Sequence, residues 1–363
     1  MNSADVEQAA LPVRCLDQVA FPELSASAQY SCWNGVGRSF SVGSCRLPDT
    51  LLPGEVLVSV DVATICGSDV KTVSGQRRVA EPSVLGHEQV GTVVATGVGA
   101  SVAVGQRVVW SVTSSCGRCS RCSTMPQKCL SLRKYGHEPL DEFRPLTGGF
   151  ASHCLLWPGT TIVPVPDSVP NEVASPAGCA WATAVAAVAA ASPIRVGGRA
   201  LVVGTGMLAI AVTALLAQRG IHVIVLSHDH ERGRRLLRFG AAKVTDAAAD
   251  IDVAFEMSGR ATSVAVAAGS LAVGGTLVLA GSVSPGPAVA IDPEHIVRSL
   301  LTITGVHNYR PADLRTAVSF LTEHQDQYPF AELVAGRWRL TEMDEAFAAA
   351  RTGGVRQCVV PSV

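Results

Sequence analysis

The stretch Val202-Val203-Gly204-Thr205-Gly206-Met207-Leu208-Ala209 restricts the fold of this 363-residue chain more than any other. A short apolar run, two glycines one residue apart and an apolar continuation read as strand, tight turn and helix start. Gly204 permits the turn, Gly206 allows close approach to the helix's first N–H groups, and Ala209 takes a third small position where helix packs on sheet. Strand candidates follow at His222–Leu226, Ile251–Phe255, Thr276–Ala280 and Leu301–Val306, alternating with helical segments. Such alternation builds a parallel sheet flanked by helices. The free N–H groups at the first helix start form an anion site, so this segment is expected to bind the pyrophosphate of a dinucleotide.

The rest of the chain reads differently. From about Gln29 to Pro176 it holds short valine-rich strands, among them Glu55–Ala63, Val90–Thr96 and Gln106–Val112, punctuated by Gly and Pro. Pro176–Ser192 is an Ala-rich helix stopped by Pro193 and Gly197-Gly198. From about Asn308 come amphipathic helices, Asp313–Glu323 and Glu342–Arg351, and a closing strand, Gln357–Val360. The expected organisation is an N-terminal extension over 1–28, a β domain over 29–176, an α/β domain over 177–307 and a return to the first domain over 308–363.

Hydrophobic residues make up 48% and charged residues 16%, enough to build a large core and too apolar for a disordered chain. A formal net charge of −1 gives no field that favours nucleic acid or an anionic membrane. The mean hydropathy of +0.30 does not come from a membrane span: the longest apolar run, Ala177 to Ala191, is interrupted by Trp181 and Thr183 and falls short of one. Met1 to Ala10 carries Asp5 and Glu7 and lacks the basic and apolar parts of a secretory leader. A cytoplasmic protein is expected, in which eleven cysteines point to metal or catalysis before disulfides.

Cys116-x-x-Cys119-x-x-Cys122-x6-Cys129 places four thiolates where short loops bring sulfurs to the corners of a tetrahedron. Such a saturated site is a structural zinc. Basic neighbours Arg118, Arg121 and Lys128 raise a DNA-binding reading, but no recognition helix follows. Separately, Cys66-Gly67-Ser68-Asp69 and Gly86-His87-Glu88 follow strand segments, and Cys179 opens the Ala-rich helix. Cys66, His87 and Cys179 together offer three ligands and leave a fourth position open, as a catalytic zinc requires. At the end of the second strand of the α/β domain, an acidic residue would bind the ribose hydroxyls of NAD. Ser227 stands there, followed by His228 and Arg232, which favours NADP modestly over NAD. Asp229 works against that preference.

These residues resemble the zinc-dependent alcohol dehydrogenases of the medium-chain dehydrogenase/reductase superfamily, over nearly the whole chain from about residue 30. The carriers are C-G-S-D at 66–69, G-H-E-Q-V-G at 86–91, the four-cysteine loop, G-C-A-W-A-T at 178–183 and V-V-G-T-G at 202–206. The stretch 126–138 and the following G-G-F-A-S-H-C most resemble a subgroup associated with phosphonate metabolism. The resemblance implies a GroES-like β-barrel domain interrupted by a Rossmann domain, with the active site between them and a homodimer or homotetramer as the assembly. It implies zinc on Cys66, His87 and Cys179, acidic support from Asp69 and Glu88, and a proton relay starting at Ser68. It also implies a pyrophosphate contact from Arg356 and backbone contacts to the nicotinamide at Gly281.

Three features depart from that pattern. Lys71 stands where many members have a relay histidine, the last gap of the cysteine loop is six residues rather than seven, and Val244 to Ile251 is too short for the usual crossover helix. That crossover is expected to run extended or as one turn, with a short third strand. The expected activity is reversible hydride transfer between a nicotinamide cofactor and a small alcohol/carbonyl pair, with two zinc ions per chain. Arg133, Lys134, His137 and Lys71 offer charge for an anionic substrate such as a phosphonate. Reduction of an activated C=C bond without zinc, or cofactor binding without catalysis, are the alternatives; the first would not need Cys66, His87 and Cys179 together.

Overall fold

The structure, a computed structural model, describes residues 27–191, 193–352 and 355–361. All of the expected N-terminal extension except Ser27 and Ala28, and Gly353-Gly354 beside Arg356, lie outside the described residues. The chain opens with β1 (Ser27–Cys32) and β2 (Ser41–Arg46), an antiparallel pair. Next come β3 (Val56–Thr64), α1 (Gly67–Val73), β4 (Gln89–Thr96), β5 (Arg107–Ser114) and the two-residue β6 (Arg133–Lys134). They are followed by β7 (His153–Leu156), β8 (Thr160–Pro164), α2 (Asn171–Ala174) and α3 (Ala180–Ala190).

A second unit then alternates strand and helix: β9 (Arg199–Val203), α4 (Met207–Ala217), β10 (His222–Leu226), α5 (His230–Arg235) and β11 (Lys243–Thr245). It continues with β12 (Ile251–Glu256), α6 (Ala261–Gly269), β13 (Leu271–Leu279), α7 (Pro293–Arg298) and β14 (Thr302–Gly305). The chain closes with α8 (Pro311–His324), β15 (Val334–Trp338), α9 (Met343–Thr352) and β16 (Arg356–Val359).

Among the described residues the larger sheets are eight-stranded, in the order β15-β16-β3-β4-β5-β6 with β7 on β3 and β8 on β5, and six-stranded, in the order β11-β10-β9-β12-β13-β14. The first joins the start and end of the chain, because β16 pairs antiparallel with β3. The second is parallel throughout. This is the GroES-like barrel and Rossmann combination. Central strands of a parallel sheet are covered on both faces and need unbroken apolar sequence. β9 meets that need, with Ala200, Leu201, Val202 and Val203 all buried. One core cluster runs from barrel residues such as Val62 and Val109, through Trp181 of α3, to Val202 and Val223 of the parallel sheet. Trp181 fixes the seam: its ring stacks on Phe320 at 5.6 Å and meets Phe330 edge-on at 5.0 Å.

Two local results bear on the site. The continuous helix expected over 176–192 is broken: a tight turn at Ser175–Gly178 precedes α3, with Cys179 at the break. The helical segment before the break, Asn171–Gly178, makes an angle of 52° with α3. The chain leaves the helical region at Cys179, which has φ −129° and ψ −76°. No single described helix is long and apolar enough to cross a membrane. The crossover from β11 to β12 is extended, as its length requires: 246–250 forms no helix, and β11 has three residues. Asp250 takes a positive φ of 58° just before β12, where its carboxylate meets Arg199 at 3.0 Å.

Candidate active site

Cys66 follows β3 and caps α1; Asp69, three residues on, turns back so that its Oδ2 accepts the Cys66 N–H at 3.0 Å. This reciprocal capping fixes the first turn and with it the direction of Sγ. His87 and Glu88 precede β4. Gly86 before them has φ +93°, and a Cβ there would meet Phe150 N at 2.8 Å, so only glycine lets the two loops lie together. The donor atoms of Cys66, His87 and Cys179 lie within 4.8 Å of one another.

The surroundings suit a metal. Asp69 Oδ1 is 3.2 Å from His87 Nδ1, and the Ser68 hydroxyl is 3.1 Å from Nε2. A carboxylate on the far nitrogen orients a ligating imidazole and strengthens it as a donor. Burial opposes charge on His87, but Asp69 and Cys66 outweigh it and raise its pKa to about 10. The hydrogen bond between the two sulfurs, helped by Arg356 and His87, holds Cys66 well below the usual thiol range against burial. The same bond, with burial, pushes Cys179 up. A thiolate is therefore ready at Cys66, and a cation would release the second proton.

Glu88 is completely buried beneath this cluster. Arg356 donates to it from Nε at 2.6 Å and Nη2 at 2.8 Å, and Thr64 Oγ1 donates at 3.0 Å. Burial pushes the Glu88 carboxyl up to about 7 despite Arg356. Arg356, read from the resemblance as a pyrophosphate contact, lines the same cleft as Gly206. Its guanidinium is held bidentate by the Glu88 carboxylate, with Nη2 3.7 Å from Cys66 Sγ.

The four-cysteine loop also gathers its sulfurs. Cys119–Cys122 and Cys116–Cys129 are 3.4 Å apart, Cys119–Cys129 3.8 Å and Cys116–Cys122 3.9 Å. A tetrahedron with Zn–S of about 2.3 Å has edges of about 3.8 Å. All four cysteines are free. N–H groups of Cys116 and Ser131 point at Cys129 Sγ at 3.3 Å, and that of Leu130 at Cys119 Sγ at 3.4 Å. The Leu130 N–H is the main cause of a Cys119 pKa near 6. This donor set fits a closed zinc site.

The dinucleotide turn faces the same space. Gly204 has φ +125°, and Gly206 caps α4 with nothing within 4 Å of the Cβ it lacks. Gly206, Met207 and Leu208 line a cleft of about 270 Å³ that also reaches Cys66, His87 and Cys179. Ala209 is buried under the helix. Gly281 lines the cleft too, and is packed so closely that a Cβ would fall 2.4 Å from Gly259 N. Lys71 stands on the wall nearby, 3.3 Å from where a Gly259 Cβ would sit. Ser227 and Arg232 lie away from this lining. The Ser227 hydroxyl donates to Asp229 O at 2.9 Å. The Asp229 carboxylate caps α5 through the Arg232 N–H at 3.0 Å and pairs with Arg232 Nε at 3.2 Å.

The sequence reading missed Glu256, Arg77 and His307. Glu256, fully buried at the end of β12, accepts from the N–H groups of Ser258 at 2.8 Å and Gly259 at 2.9 Å, and so shapes the loop packed on Gly281. An acid closing an apolar strand, I-D-V-A-F-E before M-S-G, was the available signal. Arg77 and His307 line the cleft from loops and had no such signal.

Known proteins agree with this geometry. The alcohol dehydrogenase GroES-like domain family matches residues 52–167, and the zinc-binding dehydrogenase family matches residues 203–323. The 5-exo-hydroxycamphor dehydrogenase of Pseudomonas putida is 25% identical over 336 residues, covering 85% of this chain and 92% of that protein. A Mycobacterium tuberculosis protein described as a zinc-binding alcohol dehydrogenase is 31% identical over 282 residues, covering 74% and 67%. A Sinorhizobium meliloti structure, described as a zinc-binding dehydrogenase bound to NADP, superposes with a TM-score of 0.82 at 24% identity, covering 93% of this chain and all of that one.

Proposed function

Because the chain belongs to the zinc-binding alcohol dehydrogenases of the medium-chain dehydrogenase/reductase superfamily, we propose that it interconverts a small alcohol and its aldehyde or ketone, using a nicotinamide dinucleotide and two zinc ions per chain. The observation that carries this reading is the meeting, in one cleft, of the Cys66–His87–Cys179 donors and the Gly204–Gly206 turn. The catalytic part is assigned to 29–176 and 308–363, and the dinucleotide part to 177–307.

Cys66, His87 and Cys179 would hold a zinc, which would supply Lewis-acid polarisation of the substrate oxygen, and a bound nicotinamide would supply the hydride chemistry at the carbinol carbon. Cys66, His87 and Cys179 hold the metal, Asp69 orients His87, and the Glu88–Arg356 pair fixes the floor. Oxidation removes a hydride and one proton from the alcohol. Ser68, whose hydroxyl lies beside the His87 ring, receives that proton, and Lys71 on the cleft wall passes it outward. The finer reading is an anionic small substrate, phosphonate-bearing alcohols among them. A screen of small alcohols, ketones and anionic alcohols with both dinucleotides tests the reaction class. Reversible change in nicotinamide absorbance, dependent on zinc, is expected. Consumption of reduced cofactor only with activated C=C bonds would overturn it.

For the cofactor we propose a modest preference for NADP. Ser227 replaces the carboxylate that would bind ribose hydroxyls, and Asp229 is already spent on capping α5 and on Arg232. Ser227→Asp is expected to move the NADP/NAD ratio of kcat/KM towards NAD by about tenfold, the weight of one hydrogen bond at about 1.4 kcal/mol. A parent enzyme that already prefers NAD tenfold would overturn this assignment.

A further inference from the structure

Among the described residues the cleft is lined by four basic side chains, Lys71, Arg77, Lys134 and Arg356, and by no aspartate or glutamate. Glu88 neutralises Arg356. No hydrogen bond or ion pair among the described residues engages the Lys71 or Lys134 ammonium or the Arg77 guanidinium. The acids close by are committed elsewhere: Asp69 to His87 and the Cys66 N–H, Glu138 to Arg133 at 3.5 Å and to the Lys134 N–H at 2.9 Å.

Lys134 and Arg77 both line the cleft. Lys134, on β6, lies within electrostatic reach of Cys179, Cys66 and Asp69 as well as of Arg77. Burial, then Arg77, lowers its pKa to about 8. His307 shares this space: burial, then Lys134, Lys128 and Arg77, lower its pKa to about 4. Its Nδ1 is 2.6 Å from Lys128 Nζ, so Lys128 donates to it and the ring proton stays on Nε2. Like charges brought together without a counter-ion are costly unless a bound anion offsets them. A zinc held by two thiolates there would add no net charge. The residues singled out from sequence change accordingly. The Arg133 guanidinium lies 3.7 Å over the Trp157 ring, and His137 Nδ1 meets Tyr135 O at 2.8 Å; neither lines the cleft.

We propose that the substrate carries a doubly charged oxyanion, a phosphonate or phosphate monoester, on the same small molecule as the reacting carbon. Arg77 and Lys134 hold this group, and neutral His307 donates to it. The proposal rests on the alcohol dehydrogenase reading. Arg77 supplies a planar fork for two oxygens and Lys134 a point charge, which together match a dianion better than a single carboxylate.

The test compares 3-hydroxypropylphosphonate, 4-hydroxybutanoate and 1-butanol as substrates of the zinc-loaded enzyme and of its Lys134→Met and Arg77→Met variants. Among the described residues neither side chain is engaged in a hydrogen bond or ion pair. The parent is expected to prefer the phosphonate. Each variant is expected to lower the phosphonate-to-butanol ratio of kcat/KM by about ten- to a hundredfold, mainly through KM, with the cofactor KM unchanged. A ratio that stays put while butanol is oxidised overturns the subsite and leaves the dehydrogenase standing. Preference for the carboxylate overturns the dianion, and a rise in cofactor KM instead of substrate KM overturns the assignment of these cations to substrate. If no alcohol is oxidised, the reaction reading fails, and calorimetry with methylphosphonate still decides the subsite. Heat with the parent but not with Lys134→Met supports it; none with the parent overturns it.

Discussion

Cys66→Ser is expected to abolish turnover, by about a thousandfold or more, and to leave one zinc per chain instead of two. The magnitude follows from what the metal supplies: several kcal/mol of stabilisation for charge developing on the substrate oxygen, at a factor of ten for each 1.36 kcal/mol. The substitution is informative because the fold should tolerate it. Cys66 is the N-cap of α1, a position at which serine is among the best residues, and the Asp69 carboxylate would still accept the residue-66 N–H. Loss of activity without loss of thermal stability therefore reports on the donor set. The remaining ligands, His87 and Cys179, cannot hold zinc tightly with one thiolate removed. Elemental analysis of protein purified without chelator, alongside kcat, checks this. Two zinc ions retained, or turnover within tenfold of the parent, would remove Cys66 from the metal site.

What the sequence made legible was local in the chain. The Gly204–Gly206 turn, flanked by a strand and a helix, announces its fold within eight residues, and the cysteine loop announces its metal within fourteen. The strand His222–Leu226 has the boundaries read from apolar sequence. The short crossover before Ile251 was legible too, because chain length sets a hard limit on reach. Contacts made by remote segments were not legible. Arg356 lies 290 positions from Cys66, and its pairing with Glu88 is decided by β16 joining β3, which no local pattern encodes. Arg77 and His307 sit on loops whose polar neighbours look like any solvated surface. The break at Cys179 directly follows Pro176 and Gly178, poor helix formers that the reading of 176–192 as one alanine-rich helix passed over. The gathering of Cys66, His87 and Cys179 nonetheless emerged from sequence, each weak alone but together, beside a dinucleotide turn, enough to stand out.

Cys119→Ser is expected to act through folding. The four sulfurs stand 3.4–3.9 Å apart on a loop with almost no apolar content to bury, so its order is expected to depend on the zinc proposed for them. Such metal binding is folding free energy, about 10–16 kcal/mol in isolated zinc peptides. Here the loop is anchored at both ends by β5 and β6, so a smaller share is lost, on the order of 4 kcal/mol. For a chain of this size that lowers Tm by roughly 10 °C. One zinc per chain should remain, now the one on Cys66, His87 and Cys179. The loop also reaches the cleft, through Lys128 against His307 at 2.6 Å and through the Asn308 side chain donating to Gln127 O at 3.4 Å. Melting it should therefore unseat His307 and Lys134 while the Gly204–Gly206 turn keeps its shape. The expected signature is a destabilised protein, newly cut by protease between 116 and 129, whose KM for substrate rises while dinucleotide affinity holds. Unchanged Tm and two retained zinc ions would show that the cysteine loop is held by its backbone turns and not by a metal.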